Sequence, residues 1–82
     1  MKHDKTFKVT VSRVNEQLFS GDVLSVTFPG TEGQLTILAH HEALITLLKK
    51  GTITIRTDSE EKNFEVMKGL IEVSNGQATV LV

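Results

Sequence analysis

The stretch Leu70 to Val82, LIEVSNGQATVLV, decides the fold class. Asn75 and Gly76 stand in it between two short runs rich in β-branched residues. Asn-Gly between two such runs is the strongest short hairpin signal, because a type I′ turn needs positive φ at both central residues. The sequence therefore predicts a β-hairpin at this turn, with the last strand of the chain running to Val82.

Apolar and polar residues alternate in the segments that precede this hairpin. Ile53 and Ile55 alternate with polar residues, and Phe64 and Val66 resume the inward set after a polar hairpin tip, DSEEK at 58–62. Alternation of this kind places one set of side chains on one face of a strand. These residues are expected on the inner face of the sheets.

The first third of the chain also alternates, over 7–11 and again over 24–28. The first run loses its alternation at Arg13, which predicts a bulge or a strand end. A turn is expected at Gly21, and the second run is expected to end at Pro29 because proline cannot donate to a ladder.

Two further segments complete the pattern. GTEG at 30–33 is a tight connection that joins the second run to a strand over 34–38 as a hairpin. EALITLLKKG at 42–51 is ambiguous, because its leucines have helical spacing while a short strand over 44–48 fits equally well. We interpret it as a strand or a single turn.

Short strands with turn signals every eight to twelve residues, roughly, are typical of an antiparallel sandwich or barrel. The prediction is an all-β, antiparallel β-sandwich of about ten short strands in one domain over residues 1–82. Four Phe and no Trp or Tyr imply a core of Val, Ile and Leu, with Phe28, Ile53 and Ile55 inside it.

Composition excludes several classes of function. The charges are scattered and their net is −1, so no basic patch for binding nucleic acid or an anionic membrane is indicated. The lack of Cys excludes disulfides and thiolate chemistry. No apolar run approaches the roughly 20 residues that span a bilayer, so a soluble, unsecreted domain is expected.

No catalytic or metal site is predicted. His40 and His41 are adjacent, so in an extended chain their side chains point to opposite faces and do not chelate one ion. GTEG lacks the Lys and Ser or Thr that follow a phosphate loop. Binding through outward apolar residues is expected instead, and the candidates are Leu38, Leu44 and Met67.

Two alternatives stay open from the residues. Biotinyl and lipoyl carrier domains are small β folds that present one Lys at a hairpin, and Lys68 in VMKGLIEV is the candidate attachment site, although only Met67 of the flanking methionines is present. An unrelated ligand-binding sandwich is the other alternative, but it needs an aromatic platform or a deep pocket.

An ordered series of residues runs through the chain from about Phe7 to Val82. It consists of FSG at 19–21, Phe28, Gly33, Leu35, Ile37, His41, Leu44, Thr46, Gly51, Gly69, Glu72, Val73 and the closing VLV. This series resembles the N-terminal domain of the epsilon subunit of F-type ATP synthases.

The resemblance implies a non-catalytic subunit without cofactor, at the foot of the central stalk, that links the gamma subunit to the membrane c ring and couples rotation to ion translocation. It implies a peripheral position on the cytoplasmic face of the cell membrane, without lipid insertion. The ring-facing residues would be Glu32, Gly33 and Gln34. The gamma-facing residues would be His41, Leu44 and Thr46.

The sequence also departs from the family pattern. AHHEA at 39–43 stands where Pro-Gly-His-Ala-Pro is common, Gln34 stands where an acidic residue is frequent, and Lys68 stands where the first Gly of a pair is frequent. The resemblance ends at Val82, before the C-terminal helical hairpin of most members, so neither an ATP site nor inhibition by that hairpin is expected.

Overall fold

The computed structural model describes residues 5–40 and 42–82. Nine strands are found in these residues, and the predicted all-β fold class is confirmed. The strands are β1 (Phe7–Arg13), β2 (Glu16–Val23), β3 (Ser25–Gly30), β4 (Gly33–Leu38), β5 (Leu44–Leu48), β6 (Gly51–Arg56), β7 (Glu61–Val66), β8 (Gly69–Ser74) and β9 (Gln77–Leu81). No helix in the described ranges is long and apolar enough to cross a membrane.

The hairpin between β8 and β9 has the predicted turn. Ser74 pairs with Gln77, and the two residues between them have positive φ, 51° at Asn75 and 76° at Gly76. Both central residues are therefore left-handed, as a type I′ turn requires.

Replacing Gly76 by valine is expected to lower the free energy of unfolding by about 1 kcal/mol or more, because a β-branched residue is strained at positive φ. A Cβ at this position would meet nothing within 4 Å, so the loss would report backbone strain rather than a clash. The measurement is chemical denaturation, with Gln77→Val as the control at a neighbouring exposed strand position. Equal midpoints for the two variants would contradict the prediction.

The strands follow the order β2-β1-β9-β8-β5-β3-β6-β7, with β4 paired to the free side of β3. The two halves of this order meet at one pair only, Gly30 of β3 with Leu48 of β5. At the far ends the order curls round on itself, since the rings of Phe19 on β2 and Phe64 on β7 lie 6.4 Å apart edge to face. The result is a sandwich whose two halves enclose one core.

The core is built from the inward residues of the alternating runs. Phe28, Ile53 and Ile55 are fully buried, as predicted. No charged or polar residue is buried among the described residues. The core therefore depends on apolar packing alone.

One strand pair departs from the predicted antiparallel arrangement. β1 pairs with β9 in parallel, from Lys8 with Gln77 to Ser12 with Leu81. The other pairings are antiparallel. The first strand is thus held between β2 and the end of the chain.

Two local predictions were wrong. Gly21 lies within β2, paired to Val9, and the turn falls earlier, at Asn15 with φ 65°. Pro29 does not end the strand but lies inside β3, where its carbonyl oxygen accepts a hydrogen bond from the Lys49 amide at 2.9 Å. Proline is tolerated there because only its carbonyl is used on that side.

Two other local predictions are confirmed. β1 ends at Arg13, and its pairing with β2 shifts register after Val11 because Leu18 is an extra residue on β2. The ambiguous segment forms strand β5, paired with β8 from Leu44 to Leu48.

Candidate protein-docking surfaces

The β3–β4 hairpin carries the predicted ring-facing residues. Gly30 pairs with Gly33, so only Thr31 and Glu32 form the loop. A Cβ on Gly30 would approach the Gly33 carbonyl oxygen to 2.9 Å, and Gly33 has φ 132°. The two glycines thus allow a tight turn that leaves Glu32 and Gln34 exposed.

Two of the predicted gamma-facing residues lie beside this hairpin. Leu44 and Thr46 are half-buried on β5, and with Glu32, Gly33 and Gln34 they line one groove of about 410 Å³. The Thr31 amide donates a hydrogen bond to the Leu47 carbonyl at 3.0 Å, which fixes the hairpin against β5. The two predicted surfaces are therefore adjacent, whereas His41 lies outside the described residues.

A third surface was not predicted. Ile45 and Leu47 alternate with Leu44 and Thr46, and their side chains are 66% and 59% exposed. Leucines lie beside Leu47 on the next two strands, since Leu47 pairs with Leu70 of β8 and Leu70 pairs with Leu81 of β9. We call Ile45, Leu47, Leu70 and Leu81 the apolar face.

The apolar face borders a shallow groove of about 410 Å³. Its lining consists of Thr31, Leu47, Leu48, Lys68, Gly69, Leu70, Leu81 and Val82. Contiguous exposed apolar surface of this kind marks sites of protein or ligand contact. Of the outward residues predicted from the sequence, Leu38 and Met67 are exposed, but Leu44 is half-buried because its side chain points to the inner side of β5.

The outer face of the β3–β4–β6–β7 half is polar by contrast. Cross-strand hydrogen bonds join Thr27 to Thr36 at 2.9 Å and Thr54 to Asn63 at 2.7 Å. Beside them, Arg56 forms an ion pair of 2.9 Å with a strand neighbour, Glu61. These polar groups form hydrogen bonds with one another or with water, so this face does not require an apolar partner.

Lys68 does not occupy the tip of a hairpin. It lies in the connection from β7 to β8, and these two strands pair with β6 and with β5 and β9 rather than with each other. The carrier alternative loses its structural basis, because carriers present their lysine at a hairpin tip.

The described residues also hold no group of three or more His, Asp or Glu side chains that could bind a metal ion. The described residues thus form a curled β-sandwich with one exposed apolar patch and one exposed hairpin, and an exposed apolar patch marks a site of contact with a protein or ligand.

Comparison with known proteins identifies the family. The model of the β-sandwich domain of the ATP synthase delta/epsilon chain matches residues 6–82. The chain belongs to this family.

Named relatives agree with this assignment. The chain is 41% identical over 78 residues to the ATP synthase epsilon chain of Nitratiruptor sp., covering 94% of this chain and 60% of the relative. It is 42% identical over 77 residues to the epsilon chain of Bordetella petrii, covering 93% of this chain and 55% of the relative. It thus spans little more than half the length of these curated relatives.

Solved structures share the fold. A chain in the cryo-EM structure of the Euglena gracilis mitochondrial ATP synthase (OSCP/F1/c-ring, rotational state 1) matches with a TM-score of 0.88 at 20% identity, over 94% of this chain and 50% of that one. A chain in the Tetrahymena thermophila mitochondrial ATP synthase structure (central stalk/c-ring) matches with a TM-score of 0.81 at 23% identity, over 92% and 61%.

Proposed function

We propose that this chain is a non-catalytic central-stalk subunit of a rotary F-type ATP synthase, which links the gamma subunit to the membrane c ring and couples rotation to ion translocation. The observation that carries the proposal is an apolar outer face on a domain whose family is that of the ATP synthase delta/epsilon chain. In such a role the domain acts through contacts and needs no cofactor. Its location is peripheral, on the cytoplasmic face of the cell membrane through the complex.

Gamma contacts the apolar face and the adjoining edge of β5 in this proposal. Exposed Ile45, Leu47 and Leu81, with the half-buried Leu70 between the last two, supply the apolar centre of an interface, and burying them against a partner removes them from water. Leu44 and Thr46 lie at the border of this contact, and His41 keeps the gamma-facing role that the resemblance implies.

The c ring contacts the hairpin tip at Glu32, Gly33 and Gln34. This tip is polar and exposed, which suits a contact with polar loops more than a dry interface. Since the tip and β5 border the same groove, the two partners meet the domain side by side. Torque then passes across a short distance within one rigid end of the sandwich.

The experiment that tests this function compares Glu32→Lys with Thr46→Glu. Glu32→Lys is expected to leave gamma affinity within about threefold of wild type, because mutating a rim charge mainly changes association kinetics, and to impair ATP-driven ion pumping in reconstituted vesicles. Thr46→Glu is expected to weaken gamma affinity by at least roughly tenfold, because a charge is desolvated at the border of the contact.

Thermal unfolding of each isolated variant is the control, since Thr46 is half-buried. Loss of gamma binding in Glu32→Lys with normal binding in Thr46→Glu would invert the two surfaces. Absence of gamma binding by the wild-type chain would refute the proposed function.

A further inference from the structure

Three lysines lie at one end of the sandwich. Lys49, Lys50 and Lys68 are exposed, and they make up three of the nine Lys and Arg residues of the chain. None of them forms an ion pair within the described ranges, whereas Arg13, Arg56 and Lys62 do. We call Lys49, Lys50 and Lys68 the lysine rim.

Strand pairing brings these residues together. Lys49 and Lys50 form the connection from β5 to β6, and Lys68 lies in the connection from β7 to β8. Leu48 pairs with Gly69 at one side of these connections, and Gly51 pairs with Val66 at the other. The two connections therefore run side by side.

Gly69 keeps this end of the sandwich closely packed. A Cβ at this position would clash with the Leu81 carbonyl oxygen, so the start of β8 can approach the end of β9 closely only because residue 69 is a glycine. Lys68, which precedes Gly69 in the chain, therefore lies beside the end of β9.

The lysine rim borders the apolar face. Lys68 lines the same groove as Leu47, Leu70 and Leu81. One acidic side chain, Glu72, is exposed on this side of β8, two residues from Leu70 and paired with Ile45, whereas Glu32 lines the other groove. Unpaired like charges on two adjacent connections repel one another, and an anionic partner would relieve that repulsion.

We infer that the partner segment docking on the apolar face is amphipathic and carries acidic residues along the edge that meets the lysine rim. The inference rests on the proposed function, in which this partner is the gamma subunit. An apolar centre with a one-signed charged rim fits a partner with an apolar stripe and the opposite charge beside it. The apolar contact stabilises the complex, and the lysine rim raises the association rate and orients the two proteins as they meet.

The test is the rate of association between the chain and the gamma subunit of the same organism, measured by stopped flow across ionic strengths from about 20 to 300 mM. The variant Lys49→Glu/Lys50→Glu/Lys68→Glu is expected to associate at least roughly tenfold more slowly at the lowest ionic strength, and the difference should shrink as salt screens the charges. The dissociation rate should change by less than about threefold, as expected for rim charges.

A matched control separates position from net charge. Arg56→Glu/Lys62→Glu/Thr36→Glu/Asn63→Glu carries the same net charge, but its substitutions lie on β4, β6 and β7 in the other half of the strand order, and its association rate should stay within about threefold of wild type. Circular dichroism of both variants checks that they fold.

The outcomes are distinct. Equal slowing in both variants, or a wild-type rate independent of salt, would overturn the acidic-edge inference while leaving gamma binding intact. Binding of the wild-type chain to phosphatidylglycerol vesicles that is lost only in the rim variant, with salt-independent gamma association, would assign the lysines to a membrane surface and also overturn it. No gamma association by the wild-type chain would refute the proposed function itself.

Discussion

Replacing Leu47 by glutamate is expected to weaken binding to the gamma subunit by roughly a hundredfold to several thousandfold. Leu47 belongs to the apolar face, with Ile45 beside it on β5 and Leu70 opposite it on β8. Burying an unpaired charge costs about 3 to 5 kcal/mol, and each 1.4 kcal/mol corresponds to a factor of ten in affinity. In the free chain the position is open to water, so the free energy of unfolding should change by less than about 1 kcal/mol.

Leu38→Glu provides a closely matched control. Leu38 and Leu47 have the same exposure, 59%, but Leu38 lies at the end of β4, in the other half of the strand order. Gamma affinity by titration should be near wild type for Leu38→Glu. If Leu38→Glu lost affinity while Leu47→Glu kept it, gamma would dock near the segment that leads to His41, and the apolar face would have another role.

Replacing Ile55 by alanine is expected to lower the free energy of unfolding by about 2 to 5 kcal/mol, through lost apolar burial and the cavity left behind. Ile55 is fully buried and pairs with Val26, another fully buried residue of the core. Small domains are marginally stable, with about 5 to 15 kcal/mol or less in total, so this loss is a large fraction. Chemical denaturation at neutral pH is the measurement.

Ile45→Ala is the control for this change, because it removes the same atoms from an isoleucine that is 66% exposed. Its effect on unfolding should be within about 0.5 kcal/mol, as for surface substitutions in general. Similar midpoints for the two variants would mean that the inward and outward faces of these strands have been exchanged.

Much of the fold was predictable because the signals are local. A type I′ turn depends on two adjacent residues, so Asn75 and Gly76 were sufficient to predict it. The inward positions of Ile53 and Ile55 follow from a period of two within one strand. Gly21 and Pro29 misled the prediction because glycine is tolerated within a strand and proline needs only its carbonyl where Lys49 donates to it.

The candidate site was predictable only in part. Glu32, Gly33 and Gln34 stand at an exposed tip, as hairpin residues do. LITLL at 44–48 is apolar at four of five positions, so no alternation marked Ile45 and Leu47 as its outward residues. A signal existed in the aliphatic residues at Leu70 and Leu81, but using it requires the register between strands.

By itself, then, the sequence determined the all-β class, the inward set of side chains and the turn at Asn75 and Gly76, because each depends on residues within a few positions of one another. The tertiary structure alone decided the parallel pairing of β1 with β9, the apolar face and the lysine rim. The physical reason is that each of these unites residues from strands or connections far apart in the chain. Their registers are set by closure of the whole sandwich around its core rather than by any local preference.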